Sequence, residues 1–393
     1  MTANMVGLSL RVKDLKPSET LGVTAKAKEL KARGLDVVDL GVGEPDFPTP
    51  ENVKAAAIRA IEENFTYYTP ASGIWELREA VAQKLRDFND LDYDPREICI
   101  SCGAKQSIYN ALQALLDPGD EVLIPVPFWV SYPAQVTLTG GVPKYIPTGK
   151  DYKLTPELLE ENITDKTKIL ILNYPSNPSG VTYEGKELNE IADAILPYNL
   201  IVISDEVYEY FTYDGVKHVS FASINEEAYR RTVTVNALSK TYSMTGWRIG
   251  YSACPLDMAE AISKIQSHTT SNTTSISQKA ALEALTGPQE YVSEMVKTFS
   301  ARRRFILERI RGIEGLRCMK PDGAFYVFPE LSDFKVSSSE FSSRLLEEGL
   351  VATIPGEAFG SPKNFRISYS ASMADLMKGM DRLEKFCSQL RME

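Results

Sequence analysis

The sequence predicts an α/β fold: a large doubly wound, mostly parallel sheet domain, with a ligand at the carboxyl ends of its strands, and a smaller α+β domain. Apolar or β-branched runs alternate with loops containing Gly, Pro and Asn and with amphipathic segments. Residues 169–172 and 200–203 are apolar at every position, which is typical of parallel strands covered by helices on both faces. In such sheets, ligands bind beyond the carboxyl ends of the strands.

The first quarter of the chain carries one predicted strand and two predicted helices. The apolar run at residues 37–42 predicts a strand that ends at Gly43. Thr49 is a predicted N-cap, with Pro50 as the first helical residue. Apolar residues spaced three and four apart predict a second amphipathic helix over residues 74–88.

The central part alternates strands and helices more regularly. Strands are predicted at residues 98–102, 121–125, 144–146, 169–173, 200–204, 232–235 and 249–253. Helices are predicted between them at residues 105–116 and 187–196, and a further segment of unassigned type at residues 129–138. This alternation is typical of parallel strands joined by crossover helices.

The organisation changes after Gly287. A long helix, strands at residues 324–328 and 365–369, a helix at 338–348 and a final helix over 376–390 are predicted there. We therefore expect residues 48–288 to form the large domain, and residues 1–47 together with 289–393 to form the small domain. Within the long helix, residues 302–304 are three consecutive arginines. A solvated helix face is predicted for them, with the alternative that one of them pairs with a partner subunit.

Composition argues against several classes of function. The 393 residues carry a formal net charge of −10, which disfavours nucleic-acid binding because that requires a basic surface. No apolar run approaches the length of a membrane span, and no secretory signal is recognisable. Five irregularly spaced cysteines are typical of a reducing compartment, so a cytoplasmic enzyme is expected. The only two histidines, His218 and His268, lie in no recognisable motif, so no metal site is predicted and another side chain should carry the proton chemistry.

Lys240 is the strongest candidate for that chemistry. It lies among small and hydroxyl residues between two apolar strands, where desolvation would lower its pKa towards that of a usable nucleophile. Arg248 follows eight residues later, and an arginine near an amine nucleophile suits a ligand that carries a phosphate. A lysine in such a loop is more commonly a solvated charge, so the prediction depends on these neighbours.

Asp205 is the second candidate, because an acid at the end of an apolar strand is costly without a cationic partner. Together with Lys240 it matches the arrangement of a pyridoxal phosphate (PLP) enzyme, in which a lysine forms a Schiff base and an acid keeps the pyridine nitrogen protonated. Other polar or aromatic residues also follow predicted strands, at Asn177, at Trp129 and in the turn of residues 103–106, whose N–H groups could bind a phosphate.

These motifs together resemble the class I aminotransferases among the fold-type I PLP enzymes, over essentially the whole chain. Within that family the sequence is similar to the bacterial aspartate aminotransferase branch, which includes bifunctional aspartate/prephenate aminotransferases. The segments that carry the resemblance are residues 43–47, 68–70, 103–106, 129–132, 177–180, 204–208 and 239–250.

The resemblance implies how PLP would be held. Lys240 would bond to the cofactor and then move the substrate proton, while Asp205 would keep the pyridine nitrogen protonated. The other cofactor contacts would be Tyr208 and Asn177 at the ring oxygen, Trp129 on the ring face, and Gly103, Ala104, Lys105, Ser239 and Arg248 around the phosphate.

The implied phosphate site has two further features, a contact from the neighbouring subunit and an alanine in place of the usual serine. Tyr68 would reach the phosphate of the neighbouring subunit, so the implied assembly is a homodimer with shared active sites. Ala237 stands where many members of the family have a phosphate-binding serine. Ser239, or Arg248 with the helix start, would have to replace that contact.

The resemblance also implies amino acids and 2-oxo acids as substrates. Gly43 and Arg366, beside Trp129 and Asn177, would bind the substrate α-carboxylate. Lys105 and Thr20 would bind a second carboxylate, as in transfer of an amino group between L-aspartate and 2-oxoglutarate and in amination of prephenate to arogenate. The alternative is that Lys105 is a solvated helix-start residue and Thr20 a local turn former.

Two further functions stay open at this point. Another fold-type I PLP enzyme, such as an aromatic or broad-range aminotransferase or a C–S lyase, would keep Lys240 and Asp205 without a second carboxylate site. A non-catalytic PLP-binding regulator would carry an N-terminal DNA-binding domain, and the net charge of −10 argues against it.

Overall fold

The computed structural model describes residues 7, 9, 13, 15 and 19–392, and for residues 19–21 it describes the backbone only. Fourteen α-helices and fourteen strands lie in this described part. None of the described helices is long and apolar enough to cross a membrane.

A seven-stranded sheet forms the centre of the molecule. Its strands are β2 (Ile98–Ser101), β3 (Glu121–Val126), β4 (Val142–Pro147), β5 (Thr167–Asn173), β6 (Ile201–Asp205), β7 (Thr232–Ala237) and β8 (Gly250–Ala253). Their order is β2-β8-β7-β6-β5-β3-β4. All neighbours are parallel except β8, which is antiparallel to both β2 and β7. The prediction of an α/β fold with a mostly parallel sheet is confirmed.

Helices cover both faces of this sheet, which explains why its strands are apolar throughout. Ile203 of β6 packs in one buried cluster with helical residues Ile108 and Ile262. Its neighbour Val202 packs in a different cluster with helical residue Leu188. Because successive side chains of a strand point to opposite faces, every position of such a strand is buried, and burial of this apolar surface is the main force that holds the layers together.

The described part of the chain contains fourteen α-helices. They are α1 (Glu19–Ala32), α2 (Glu51–Glu62), α3 (Trp75–Asn89), α4 (Ala104–Leu115), α5 (Ser131–Leu138), α6 (Pro156–Glu160), α7 (Gly185–Ile195), α8 (Glu226–Arg230), α9 (Leu238–Thr241), α10 (Leu256–Thr269), α11 (Ser275–Thr286), α12 (Glu290–Arg311), α13 (Ser338–Glu348) and α14 (Met373–Leu390).

Three small sheets lie outside the central sheet. β1 (Val38–Asp39) pairs in parallel with β12 (Val351–Ala352). β14 (Phe365–Ser368) pairs antiparallel with both β10 (Tyr326–Val327) and β13 (Ile354–Pro355). β9 (Leu316–Arg317) pairs antiparallel with β11 (Glu330–Leu331). The parallel pair joins an N-terminal strand to the C-terminal part of the chain.

The prediction of a strand over residues 37–42 is wrong beyond residues 38 and 39, which form β1. Past Leu40 the chain passes towards the cavity described below, where side chains take its carbonyl groups. The carbonyl oxygen of Gly41 accepts a hydrogen bond from Arg366, and that of Gly43 accepts one from Lys240. Apolar character therefore indicated burial correctly, but it did not reveal which groups pair with this backbone.

The predicted solvated face at residues 302–304 is wrong for two of its three arginines. Arg302 is 7% exposed and makes two hydrogen bonds of 2.7 and 2.8 Å to the carboxylate of Asp46. Arg303 is 1% exposed and donates to Asp214 at 2.6 Å. Both arginines are buried because each meets a carboxylate from a distant part of the chain.

The predicted cap of α2 is displaced by one residue. The helix begins at Glu51, and Pro50 is its N-cap rather than its first helical residue. The hydroxyl of Thr49 instead donates to the Ser243 carbonyl at 2.7 Å and accepts from the Trp247 indole at 3.0 Å. Thr49 thus joins the start of α2 to the loop that follows Lys240.

Candidate active site

A cavity of about 530 Å³ lies where β5, β6 and β7 end. Asn173, Asp205 and Ala237, the last residues of these strands, all line it. This agrees with the expectation that ligands bind at the carboxyl ends of parallel strands. The candidate residues from the sequence that line it are Gly43, Ala104, Lys105, Trp129, Asn177, Asp205, Tyr208, Ser239, Lys240, Arg248 and Arg366.

Lys240 reaches the cavity from α9, a single helical turn that directly follows β7. Its ammonium donates a hydrogen bond to the carbonyl oxygen of Gly43. Burial lowers the pKa of Lys240 from 10.5 to about 8, and the positive charges of Arg366 and Arg248 act in the same direction. The negative charges of Glu44 and Asp205 oppose this shift in part. At pH 7 about a tenth of Lys240 is therefore a free amine, far more than for an ordinary lysine.

Asp205 is the acid at the base of the cavity. Its Oδ2 accepts a hydrogen bond from the Tyr132 hydroxyl at 2.5 Å, and its Oδ1 accepts from the Val207 backbone N–H at 3.4 Å. Burial raises the pKa of Asp205 from 3.8 to about 6. No lysine or arginine within the described residues forms an ion pair with it. A cationic ligand group in the cavity would supply the missing partner.

Tyr208 lies one turn beyond Asp205, and its hydroxyl is 2.8 Å from that of Tyr326. Burial raises the pKa of Tyr208 well above the usual value of 10. The phenol therefore keeps its proton at physiological pH. It can act as a hydrogen-bond donor within the cavity.

Arg366, on β14, is a buried cation with no acidic partner in the described part of the chain. Its guanidinium donates to Asn177 Oδ1 at 2.7 Å and to the Gly41 carbonyl at 2.6 Å, and it lies 4.5 Å from the centre of the Tyr326 ring. Its Nε has no hydrogen-bond partner. A buried guanidinium held only by neutral groups is suited to a ligand carboxylate.

Arg248 and the start of α4 also line the cavity. Arg248 donates to the carbonyl oxygens of Thr245 at 2.8 Å and Cys102 at 3.1 Å. Gly103, the N-cap of α4, has a φ of +79°, and a Cβ there would lie 2.5 Å from Arg248 Nη2. The free N–H groups of a helix start beside an arginine favour binding of a phosphate.

Ala237 lines the same cavity and offers only a methyl group in place of a phosphate-binding hydroxyl. Ser239, two residues further on, also lines the cavity and is buried. The residues in this region that can bind a phosphate are therefore Ser239, Arg248 and the start of α4.

Lys105 lies at the rim of the cavity, in the first turn of α4. Its Nζ is 5.0 Å from the centre of the Trp129 ring. Desolvation and the positive charge of Arg248 lower the pKa of Lys105. No carboxylate within the described residues forms an ion pair with it.

Charge in the cavity favours anionic ligands. Five cationic side chains line it, against the two carboxylates of Glu44 and Asp205. The cations are Lys28, Lys105, Lys240, Arg248 and Arg366. This excess suits a ligand set that brings a phosphate and one or more carboxylates.

Half of the lining residues were not predicted as site residues from the sequence, among them Tyr132, Glu44 and Lys28. Tyr132 contacts Asp205, Glu44 accepts a hydrogen bond from Thr245 at 2.8 Å, and Lys28 lies on α1. Tyr132 and Glu44 belong to motifs that carry the resemblance, but their contacts are distant in sequence. For Lys28 the sequence contains no comparable signal.

Three predicted residues, Tyr68, Thr20 and Gly103, are not among the described residues that line the cavity. Tyr68 is 91% exposed and projects from the surface of this chain. The side chain of Thr20 lies outside the described residues. Gly103 adjoins the cavity through its contact with Arg248.

The histidines take no part in the cavity. His218 is buried and its Nε2 lies 2.8 Å from Glu206 Oε2, whereas His268 is exposed. His218, Glu206 and Glu209 bring possible metal-ligating atoms within 4.8 Å of one another. Glu206 also accepts hydrogen bonds from two serines, and Glu209 pairs with Lys84, so the charges of this cluster already have protein partners.

The donor set of the cavity fits PLP. The buried acid Asp205 lacks a cation, as required of a partner for a protonated pyridine nitrogen. Lys240 provides a free amine for an aldehyde, and Arg248 with the start of α4 provides donors for a phosphate. All three lie around one cavity whose volume suits a small ligand.

Comparison with known proteins gives a consistent result. Residues 35–383 match the family model described as aminotransferase class I and II. The aspartate aminotransferase of Bacillus sp. strain YM-2 is 47% identical over 386 residues, covering 96% of this chain and 98% of that protein. The probable aspartate/prephenate aminotransferase of Aquifex aeolicus is 47% identical over 394 residues, covering 98% and 99%.

Solved structures are similar over the same extent. The aspartate aminotransferase of Rhizobium meliloti has a TM-score of 0.95 at 39% identity and covers 98% of this chain and 100% of its own. The aspartate aminotransferase of Thermus thermophilus with maleate has a TM-score of 0.93 at 40% identity, with coverage of 97% and 100%.

Proposed function

Because the chain belongs to the class I and II aminotransferases, we propose that it uses PLP to move an amino group between L-aspartate and 2-oxoglutarate and that it also aminates prephenate to arogenate. The observation that carries this proposal is the cavity itself. It combines a buried lysine, an unpaired buried acid and an unpaired buried arginine: Lys240, Asp205 and Arg366.

Bound PLP would supply an electron-accepting ring that stabilises negative charge at the substrate Cα. Asp205 would keep the pyridine nitrogen protonated, and Tyr208 and Asn177 would donate hydrogen bonds to the ring oxygen. Trp129 would cover the ring and exclude water from it. Arg248, Ser239 and the N–H groups of Gly103 and Ala104 would hold the phosphate.

Lys240 is the group that moves the proton. As a free amine it accepts the proton from the substrate Cα, and as an ammonium it would deliver that proton to C4′ of the cofactor. A pKa of about 8 in the ligand-free protein makes both the amine and the ammonium form accessible near neutral pH.

The substrate carboxylates have separate partners in this proposal. Arg366 binds the α-carboxylate, and its bonds to Asn177 and Gly41 hold the guanidinium in place. The backbone of Gly43 lies beside the Arg366 guanidinium. Lys105 at the rim binds the second carboxylate of aspartate or prephenate, and Thr20 is proposed to assist it.

A substrate panel tests the proposal. The PLP-loaded protein should form glutamate from aspartate and 2-oxoglutarate, and arogenate from prephenate with an amino donor. Lys105→Ala should raise the KM for aspartate about tenfold or more while leaving that for the monocarboxylic donor alanine unchanged, because only the charge-assisted bond to the second carboxylate is lost.

Lys186→Ala provides a matched control, since Lys186 is an exposed lysine outside the cavity. No glutamate from aspartate with the wild-type protein would contradict the transaminase assignment. Turnover of aromatic donors alone would favour the aromatic aminotransferase alternative, and unchanged aspartate kinetics in Lys105→Ala would contradict the role of Lys105.

We also propose a homodimer in which Tyr68 reaches the active site of the neighbouring subunit. Tyr68, Tyr67, Ile58 and Ile61 are large apolar side chains that are more than half exposed, at 91, 80, 55 and 53%. They lie on α2 and in the segment that follows it. Burial of this patch would stabilise a dimer.

The remaining proposals concern organisation and location. We propose a large domain of residues 48–288 and a small domain of residues 1–47 and 289–393. In support, the whole central sheet falls within residues 98–253, and β1 pairs with β12. The five cysteines are all free, which is consistent with the proposed cytoplasmic location.

A further inference from the structure

We propose that Tyr132 is a positioning residue for Asp205: its hydroxyl fixes the orientation of the carboxylate and keeps it charged when the cavity is filled. This inference rests on the proposed PLP-dependent function. It goes further because it assigns a protein partner to the cofactor-binding acid and predicts a property of the protein before any amino acid is added.

The geometry of the contact is specific. Tyr132 is the second residue of α5, and Asp205 is the last residue of β6. The hydroxyl lies 2.5 Å from Oδ2, and both side chains are buried. The other hydrogen bond to this carboxylate, from the Val207 N–H to Oδ1, is long at 3.4 Å. Among the described residues, Tyr132 therefore makes the strongest contact to Asp205.

The direction of this hydrogen bond determines its effect on charge. Burial raises the pKa of the Tyr132 hydroxyl well above its usual value, so the phenol keeps its proton and acts as the donor. A donor stabilises the carboxylate form of Asp205 and opposes the effect of burial on its pKa. Without Tyr132, Asp205 would take up a proton at a higher pH and lose the charge that pairs with a pyridinium.

Tyr132 also contacts the residue proposed to cover the PLP ring. Its ring is 5.3 Å from that of Trp129, with an angle of 81° between the planes. This edge-to-face arrangement is the favoured geometry for two aromatic side chains. One side chain thus fixes both the acid and the aromatic residue proposed to contact the ring.

Tyr174 allows the effect of Tyr132 to be separated from that of any buried tyrosine. It is fully buried and follows β5, and its hydroxyl makes longer contacts of 3.4 Å to Ser204 and 3.5 Å to Glu206. It does not line the cavity. Tyr174→Phe also removes a tyrosine hydroxyl, but one that contacts Glu206, the acid next to Asp205. It is therefore a matched control.

The test compares wild type, Tyr132→Phe and Tyr174→Phe without substrate. The readouts are the dissociation constant of PLP and the absorption spectrum of the PLP-loaded protein as functions of pH. We expect Tyr132→Phe to weaken PLP binding about tenfold at pH 7, because a hydrogen bond to a charged group is lost. As the pH is lowered, PLP binding to Tyr132→Phe should begin to weaken at a higher pH than PLP binding to the wild-type protein. Tyr174→Phe should match wild type in both readouts.

A second replacement covers the case in which Tyr132→Phe does not fold. Incorporation of 3-fluorotyrosine at position 132 keeps the shape of the side chain and makes its hydroxyl a stronger donor. Binding of PLP should then persist to lower pH than in wild type. This shift is opposite in sign to that of Tyr132→Phe, and a purely structural role would not produce it.

The outcomes distinguish this inference from the proposed function. Three results would each overturn the role of Tyr132 without affecting the proposed function. The first is a Tyr132→Phe variant whose PLP affinity and pH dependence match those of wild type. The others are equal changes in Tyr132→Phe and Tyr174→Phe, and no shift with 3-fluorotyrosine. Failure of the wild-type protein to bind PLP would overturn both.

Discussion

At the scale of single residues, the active site consists of charged groups that the folded chain leaves without counterions. Asp205 and Arg366 are both buried without an oppositely charged partner among the described residues. Burial of a charge costs free energy unless a partner compensates it. These groups should therefore lower the stability of the ligand-free protein, and ligands that pair with them should restore it.

Asp205→Asn tests this trade between stability and function. The pKa of Asp205 is raised to about 6 in the folded protein, so the folded state binds its proton more tightly than the unfolded state does. The resulting destabilisation is absent below about pH 4, grows between pH 4 and 6 and is complete above pH 6. Asp205→Asn should therefore stabilise the ligand-free protein by on the order of 2–3 kcal/mol at pH 8.

Denaturant unfolding at pH 4 and pH 8 measures this effect. The gain should vanish at pH 4, while transaminase activity should be lost at pH 8. A variant that is less stable than wild type at pH 8 would contradict the account of Asp205.

The lowered pKa of Lys240 should make its amine reactive towards an acylating reagent at a lower pH than an ordinary lysine. In the ligand-free protein, the rate of its acetylation by acetic anhydride should rise with pH to a midpoint near 8, because only the free amine reacts. Mass spectrometry of the Lys240 peptide measures this rate. A midpoint near 10, as for an ordinary lysine, would show that burial does not activate this side chain.

The residues of the site differ in how far the sequence could predict them. Lys240 and Asp205 were predictable because each lies in a local motif next to an apolar strand. The contact between Tyr132 and Asp205 joins residues 73 positions apart, and it depends on how α5 packs against the end of β6. Such a pairing has no local pattern in the sequence.

At the scale of elements, most strands and helices were predicted well, whereas the segment that follows β1 was not. The helix expected at residues 338–348 is α13 with the same bounds, since a Ser N-cap and a following Gly mark its ends. The strand expected at residues 37–42 shortens to β1 because Arg366 and Lys240 bind the carbonyls of Gly41 and Gly43. These partners come from distant elements.

The start of α4 provides an element-scale prediction. Gly103→Ala would place a Cβ 2.5 Å from Arg248 Nη2, at a φ of +79° that a side chain disfavours. Arg248 and the helix start would then have to separate. We expect PLP affinity to fall about tenfold or more, because the phosphate would lose contacts from one of the two.

Gly119→Ala is the matched control for this variant. Gly119 has a similar φ of +95°, and nothing lies within 4 Å of a Cβ there. Both variants should lose stability from backbone strain. Equilibrium titration with PLP should show a loss of affinity for Gly103→Ala only. Equal PLP affinities in the two variants would contradict the proposed phosphate site.

At the scale of the whole molecule, fold class was predictable because continuous apolar strands have few stable arrangements other than a sheet covered on both faces. Long-range ion pairs were not. The pair between Asp46 and Arg302 joins residues 256 positions apart, and it connects the chain after Gly43 to α12. The arginine run alone suggested a solvated surface because its partner is visible only in three dimensions.

Shared active sites make a prediction about mixtures of inactive variants. Lys240→Ala and Tyr68→Ala should each be nearly inactive, and a hybrid dimer should contain one intact site, because Lys240 and Tyr68 of that site come from different chains. Random reassociation of equal amounts should then restore about a quarter of wild-type activity. No recovery in demonstrably mixed dimers would contradict the role of Tyr68 across the interface.

Reductive trapping shows whether Lys240 is the residue that binds PLP and releases it to substrate. Borohydride reduction of the PLP-loaded protein, followed by peptide mass spectrometry, should place the pyridoxyl group on Lys240. Addition of aspartate before reduction should remove the label from Lys240, because the substrate amine replaces the lysine. Labelling of other lysines only, or labelling of Lys240 that aspartate does not change, would contradict the assignment of this cavity as a PLP-dependent aminotransferase site.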